Sequence, residues 1–214
     1  MQPPAAPQAP PADRLRLLYF GRLIPDKGVH TAIEAVAQLR RDGMGDRITL
    51  TILGSGHHAY ERDLHAHAHA LGVADQITFV SQVPRTEIPQ WLAQHDVYLF
   101  TSIWPEPMAR SVMEAMAAGL LVIGTEVGGQ TEMLRHGVNA LTYRAGDANR
   151  LAEQIATALQ QPIRRTQLAT TGQQFVLERF TLKRMVDDME QFLARVVEQT
   201  KHKEQPISSL EQMG

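Results

Sequence analysis

Cysteine is absent from the sequence, which excludes a disulfide framework and a thiolate metal site. The absence fits a reducing cytosol, and a cytoplasmic setting is the expectation. No apolar run approaches the roughly 18–20 residues of a membrane-spanning helix, so stable membrane insertion is not expected. Charge of one sign is missing too. Lys and Arg number 21 against 23 Asp and Glu, a formal net charge of −2. Without a basic field, neither nucleic acid nor an anionic membrane is an expected partner. An anionic ligand must then be held by locally placed groups. Two glycine patterns are also lacking, the Walker phosphate loop and GxGxxG, which argues against a nucleoside triphosphatase or a nicotinamide dehydrogenase.

What is present suits one globular domain with tails. The chain has 214 residues, 43% hydrophobic and 21% charged, enough to bury a core. Residues 1–13, rich in Pro and Ala, lack the basic start and apolar centre of a signal peptide and read as a linker. A linker in that place suggests a domain joined to, or cut from, something larger upstream. Residues 201–214 are polar and read as a disordered tail.

Between the tails, apolar runs of strand length alternate with segments of helical spacing. Strands are expected at 15–20, 48–53, 77–80, 97–100, 120–123 and 140–143. Helices are expected at 28–40, 59–71, 88–94 and 109–118. Beyond residue 147 the pattern is helical only, interrupted at Pro162, with Thr181 placed to cap the last helix. Strands separated by helical crossovers predict an α/β domain, a doubly wound parallel sheet at 14–180, extended by a C-terminal helix at 181–200.

In such a sheet, ligands lie beyond the carboxyl ends of the strands where strand order reverses, here between the first and fourth strands. The two most unusual stretches follow those strands. The first, Gly21-Arg22-Leu23-Ile24-Pro25-Asp26-Lys27-Gly28, carries two cations beside a turn and a helix start. A guanidinium and an ammonium can neutralise a diphosphate without a metal; the same residues also read as two surface cations beside a Pro-Asp turn. The second, Trp104-Pro105-Glu106-Pro107-Met108-Ala109-Arg110, opens a helix that carries Glu114. Carboxylates accept hydrogen bonds from paired sugar or ribose hydroxyls. The alternatives are a helix-terminus charge for Glu106 and an i, i+4 pair with Arg110 for Glu114.

These stretches belong to a wider pattern: GRLIPDKG (21–28), ITLTILGSG (48–56), HDVYLFTSIWPEP (95–107), EAMAAGLLVIGT (114–125) and GGQTE (128–132). Taken together they resemble the donor domain of retaining GT-B-fold glycosyltransferases, the large family that includes sucrose-phosphate synthases and bacterial mannosyltransferases. Glu106 and Glu114 reproduce its E-x7-E spacing.

The resemblance implies roles. Arg22 and Lys27, beside Gly21, would hold the diphosphate, with Gly54 lining the donor site. Glu114 would bind the ribose, and Glu106 hydroxyls of the transferred sugar. The amides of Met108 and Ala109 would meet the sugar or distal phosphate, and the base would lie near Val80, Ser81 and Val83. The partner implied is a nucleoside-diphosphate sugar, with no cofactor or metal. An acceptor-binding GT-B N-terminal domain, in the same or another chain, would complete the cleft, and helix 181–199 would expose an apolar face.

Met108-Ala109 stands where the family usually has Phe-Gly, and Ser81 where Gly is usual. Both changes bear on sugar identity more than on nucleotide binding. A non-catalytic nucleotide-sugar-binding module is the other reading. A sugar-nucleotide epimerase fits the E-x7-E stretch less well. His65 and His69 have metal-pair spacing, but they fall on the solvent side of a helix whose buried stripe is Tyr60, Leu64, Ala68 and Leu71.

Overall fold

Short runs of apolar residues can be strands only if both faces of their sheet are covered, since side chains alternate across it. The computed structural model, which describes residues 13–203 and their side chains through residue 200, shows that arrangement. The linker expected at 1–13 lies outside the described residues up to residue 12, as does the expected tail from residue 204.

Strands β1 (Leu15–Phe20), β2 (Ile48–Leu53), β3 (Ile77–Val80), β4 (Val97–Phe100), β5 (Leu121–Thr125) and β6 (Leu141–Tyr143) form one sheet. Its order is β3-β2-β1-β4-β5-β6, the doubly wound order expected. All neighbours pair in parallel, with Leu17 opposite Val97 and Leu18 opposite Tyr98 across the β1–β4 seam.

The crossovers are α1 (Val29–Arg41), α2 (His58–Ala70), α3 (Ile88–Ala93), α4 (Arg110–Ala117) and the short α5 (Gln130–Met133). Beyond β6 come α6 (Ala148–Gln160), α7 (Pro162–Arg179) and α8 (Leu182–Lys203). Leu15, Leu17, Leu50, Leu99 and Ile123 meet Ile33 and Val36 of α1 and Leu151 and Ile155 of α6 in one buried cluster. The alternate residues Leu18, Tyr98, Phe100 and Val122 are buried as well. Each such aliphatic side chain contributes about 2 kcal/mol by burial.

Asp147 caps α6 by accepting from Arg150 N at 2.9 Å, Pro162 opens α7, and Thr181 accepts from Arg184 N at 3.2 Å at the head of α8. The chain divides into two compact units, one ending at Val176 and the other beginning at Leu177. Within the second, α8 repeats Leu182, Met185, Met189, Phe192 and Val196 along one face.

His95, between α3 and β4, gives the fold a pH response. Its Nδ1 faces Trp91 O at 2.6 Å and its Nε2 faces Thr51 Oγ1 at 2.9 Å. A carbonyl only accepts, so Nδ1 carries the proton and neutral Nε2 accepts from the threonine. Burial lowers the His95 pKa, opposed by the bond to Trp91. Above about pH 6.5 both folded and unfolded chains are neutral at this site. As the pH falls below that value the unfolded chain takes up a proton that the folded one resists, so stability drops until the folded pKa is passed. Urea titrations between pH 7.5 and 5 should show this loss, and His95→Gln should flatten it. An unchanged slope in that variant would remove His95 from the explanation.

Candidate active site

The crevice beyond β1 and β4 is assembled by bonds between the two loops that the sequence singles out. After β1, Pro25–Lys27 makes a single 3-10 turn with Pro at its first position. Gly28 follows at φ +59°, a left-handed conformation that glycine adopts without steric cost. Space demands glycine there as well, because a Cβ would lie 2.3 Å from the carbonyl oxygen of Thr101. The loop after β4 then bonds to this turn. Ile103 N donates to Asp26 O at 3.0 Å, Thr101 Oγ1 to Lys27 O at 2.7 Å, and Ser102 Oγ to Asp26 O at 3.2 Å. Lys27 therefore stands on a backbone held from both sides of the switch point.

A cavity of about 400 Å³ opens beside it, a size suited to a small-molecule ligand. Of the expected residues, Gly21, Arg22, Lys27, Gly54, Val83 and Glu114 line this cavity. Glu106 joins through Lys27, whose Nζ lies 2.5 Å from Glu106 Oε2, each side chain 18% exposed. The other carboxylate oxygen of Glu106 is buried with no hydrogen-bond partner among the described residues.

Met108, Ala109, Val80 and Ser81 are not among the lining residues. Ala109 is the buried N-cap of α4, Met108 is half-buried and Ser81 exposed. Val80 O accepts from Gly54 N at 2.9 Å, which ties the glycine to the end of β3, while Gly21 N donates to Leu53 O at 3.0 Å on the other side. The GGQTE turn also reaches the site, as Gly129 N donates to Glu106 O at 2.8 Å.

Two tyrosines shape the floor. Tyr19 OH donates to Arg22 O at 2.9 Å and Tyr98 OH to Ser111 Oγ at 2.8 Å. Burial raises both phenol pKa values. They stay protonated near neutrality and act as fixed hydrogen-bonding groups.

Glu114 finds its cation in Arg85, whose Nη2 lies 2.8 Å from Oε1, and not in Arg110 one helical turn before it. Arg110 also lines the cavity. Arg22, Lys27, Arg85 and Arg110 thus gather positive charge in a chain whose net charge is −2, and an anion entering the cavity meets it locally. Sequence reasoning missed Arg85, 29 positions from Glu114. Its one local mark is a cation just after Val83-Pro84.

The histidines of α2 find other uses. His65 packs tilted against Phe79 with ring centroids 3.8 Å apart, and His67 Nε2 lies 3.1 Å from Glu34. Among the described residues there is no group of three or more His, Cys, Asp or Glu placed to hold a metal ion. No helix among them is long and apolar enough to cross a membrane.

The chain is 34% identical over 185 residues to the lipopolysaccharide core biosynthesis glycosyltransferase LpsE of Rhizobium meliloti, covering 86% of this chain and 51% of that protein. It is 28% identical to the GDP-mannose-dependent alpha-(1-6)-phosphatidylinositol monomannoside mannosyltransferase of Mycobacterium tuberculosis, covering 85% and 48%. The chain therefore spans about half the length of these curated relatives.

Among solved structures, Anabaena HepE in complex with UDP matches with a TM-score of 0.79 at 28% identity, over 86% of this chain and 49% of that one. Its complex with UDP-glucose gives 0.78. The C-terminal domain of the Francisella tularensis glycosyl transferase group 1 family protein LpcC shares the fold, with a TM-score of 0.71 at 22% identity over 78% of this chain and 87% of that one. The family model described as glycosyl transferases group 1 matches residues 5–175, and the chain belongs to that family.

Proposed function

We propose that the chain is the donor-binding domain of a retaining GT-B glycosyltransferase that moves a hexosyl group from a nucleoside-diphosphate sugar to an acceptor. The observation that carries this reading is the joining of Lys27 and Glu106 across the β1–β4 switch point, beside a cavity lined by Arg22 and Glu114. The presence of UDP and UDP-glucose in the HepE structures and the GDP-mannose dependence of the mycobacterial relative support a nucleotide-sugar donor.

In this reading Arg22 and Lys27 neutralise the diphosphate. Glu114 accepts from the ribose hydroxyls, and Glu106 accepts from a hydroxyl of the sugar. Gly21 and Gly54 let backbone approach the ligand closely. The amides at Met108 and Ala109, where the first N–H groups of α4 lack partners within the helix, face the sugar or distal phosphate. Val80, Ser81 and Val83 border the base.

The bond from the anomeric carbon to the phosphate oxygen breaks while one to the acceptor oxygen forms on the same face. The acceptor proton passes to the departing phosphate. Charge grows on that phosphate in the transition state, where Arg22 and Lys27 are preorganised to stabilise it. An acceptor-binding domain, in the same or another chain, closes the cleft from the other side.

A thermal-shift panel of UDP-, GDP-, ADP- and CDP-sugars tests the reading. A donor at 100 times its dissociation constant stabilises the fold by about 2.7 kcal/mol, a rise of about 5–10 °C for a chain of this size. Glu114→Ala should lose most of that rise. If no nucleotide sugar stabilises the wild type, or the variant responds equally, the site is misassigned.

A further inference from the structure

We propose that Arg85 is a positioning residue for the ribose, holding the Glu114 carboxylate in the orientation that receives the ribose hydroxyls. The inference rests on the assignment of Glu114 to the ribose given above. A glutamate on a helix has three side-chain torsions, and Glu114 is about one-third exposed (34%), so its carboxylate has room to turn. Its helical neighbour at i−4, Arg110, would draw it along the α4 surface. It turns to Arg85 on the loop beyond β3, with Nη2 to Oε1 at 2.8 Å.

That contact occupies one carboxylate oxygen. Each carboxylate oxygen can accept two hydrogen bonds, so Oε2 is left to face a vicinal diol while Oε1 stays anchored. The Arg85–Glu114 pair also forms a boundary. Arg85, Ile88 and Glu114 line both this cavity and a second, more apolar groove of about 730 Å³ that runs past Leu92 and Ala117. Without the guanidinium, nothing described on the β3 side would hold the carboxylate at the cavity edge. Arg85 is 68% exposed, so the pair adds little to folding. Its consequence is orientation. Ordering a flexible carboxylate before the ligand arrives removes an entropic cost that corresponds to about a tenfold factor in affinity.

The test is calorimetric titration of the full chain with UDP and with 2′,3′-dideoxy-UDP, for wild type, Arg85→Ala and Arg85→Lys, alongside melting without ligand. If GDP, ADP or CDP binds in place of UDP, that nucleotide and its dideoxy form are used. Arg85→Ala should weaken UDP about tenfold and the dideoxy nucleotide less than twofold. Arg85→Lys should recover part of the loss, and neither variant should melt more than a few degrees lower. An equal loss for both nucleotides would mean that Arg85 touches the base or diphosphate directly and would overturn the proposal. So would unchanged UDP affinity. Tighter UDP binding by Arg85→Ala would show that Arg85 competes with the ribose, which also overturns it. If Arg85→Ala fails to fold, the ratio of the two nucleotides in Arg85→Lys decides. A wild type that binds both nucleotides equally removes Glu114 from the ribose and this inference with it. Failure of every nucleoside diphosphate to bind is a different result, which overturns the nucleotide-sugar reading itself and with it this inference.

Discussion

Lys27→Ala is expected to lower sugar transfer by about 10²–10³-fold, the usual loss when one preorganised donor to a developing oxyanion is removed. The ammonium has two duties in this site. It balances Glu106 at 2.5 Å, and it faces the cavity where a diphosphate would leave. Its removal leaves the Glu106 carboxylate without its cation, and an unpaired carboxylate then repels the incoming phosphates. Binding should therefore weaken together with turnover.

The double variant Lys27→Ala with Glu106→Gln separates the two duties. It should regain part of the nucleotide affinity, because the repulsion is gone. It should regain none of the turnover, because the cation at the leaving group is still missing. The measurement is release of nucleoside diphosphate with an acceptor-binding domain supplied. Turnover within twofold of wild type in Lys27→Ala would take the residue out of the chemistry. Titratable binding without any release in the wild type would favour a non-catalytic nucleotide-sugar module.

Gly28→Ala should cost roughly 2–5 kcal/mol of folding stability. About 1–2 kcal/mol comes from placing a Cβ on a residue at φ +59°. A further 1–3 kcal/mol or so comes from overpacking, since that Cβ would sit 2.3 Å from a backbone oxygen, that of Thr101, which cannot rotate away. Gly43→Ala is the control, because φ is +75° there but no atom lies within 4 Å of the added carbon. It should cost only the conformational part, about 1–2 kcal/mol. Urea denaturation distinguishes the two, and equal losses would mean that the approach of the loops after β1 and β4 is not what requires glycine. Nucleotide affinity should fall in Gly28→Ala as well, since pushing the loops apart moves Lys27 away from Glu106.

The strands were readable because the sheet is covered on both faces. A run such as Leu15–Phe20 then has no reason to alternate, and its apolar continuity marks it. The helices were readable from spacing, as in Val29, Ile33 and Val36, all fully buried. The short α5 was the least visible, because four residues are too few to show a period. At the site, the positions of Arg22, Lys27 and Glu114 at the cavity followed from strand order alone. The partner of Glu114 did not. Local spacing offered Arg110, whereas the fold supplied Arg85.

By itself, then, the sequence determined the order of the strands and longer helices, their parallel doubly wound arrangement and the two loops that would meet. Hydrophobic patterning and crossover length are local properties that a linear reading can recover. Only the tertiary structure decided which charge faces which: Lys27 with Glu106, Arg85 with Glu114, and one oxygen of Glu106 left buried and without a partner among the described residues. Ion pairing depends on distance through space. Residues on different crossovers become neighbours only when the sheet has closed around its switch point.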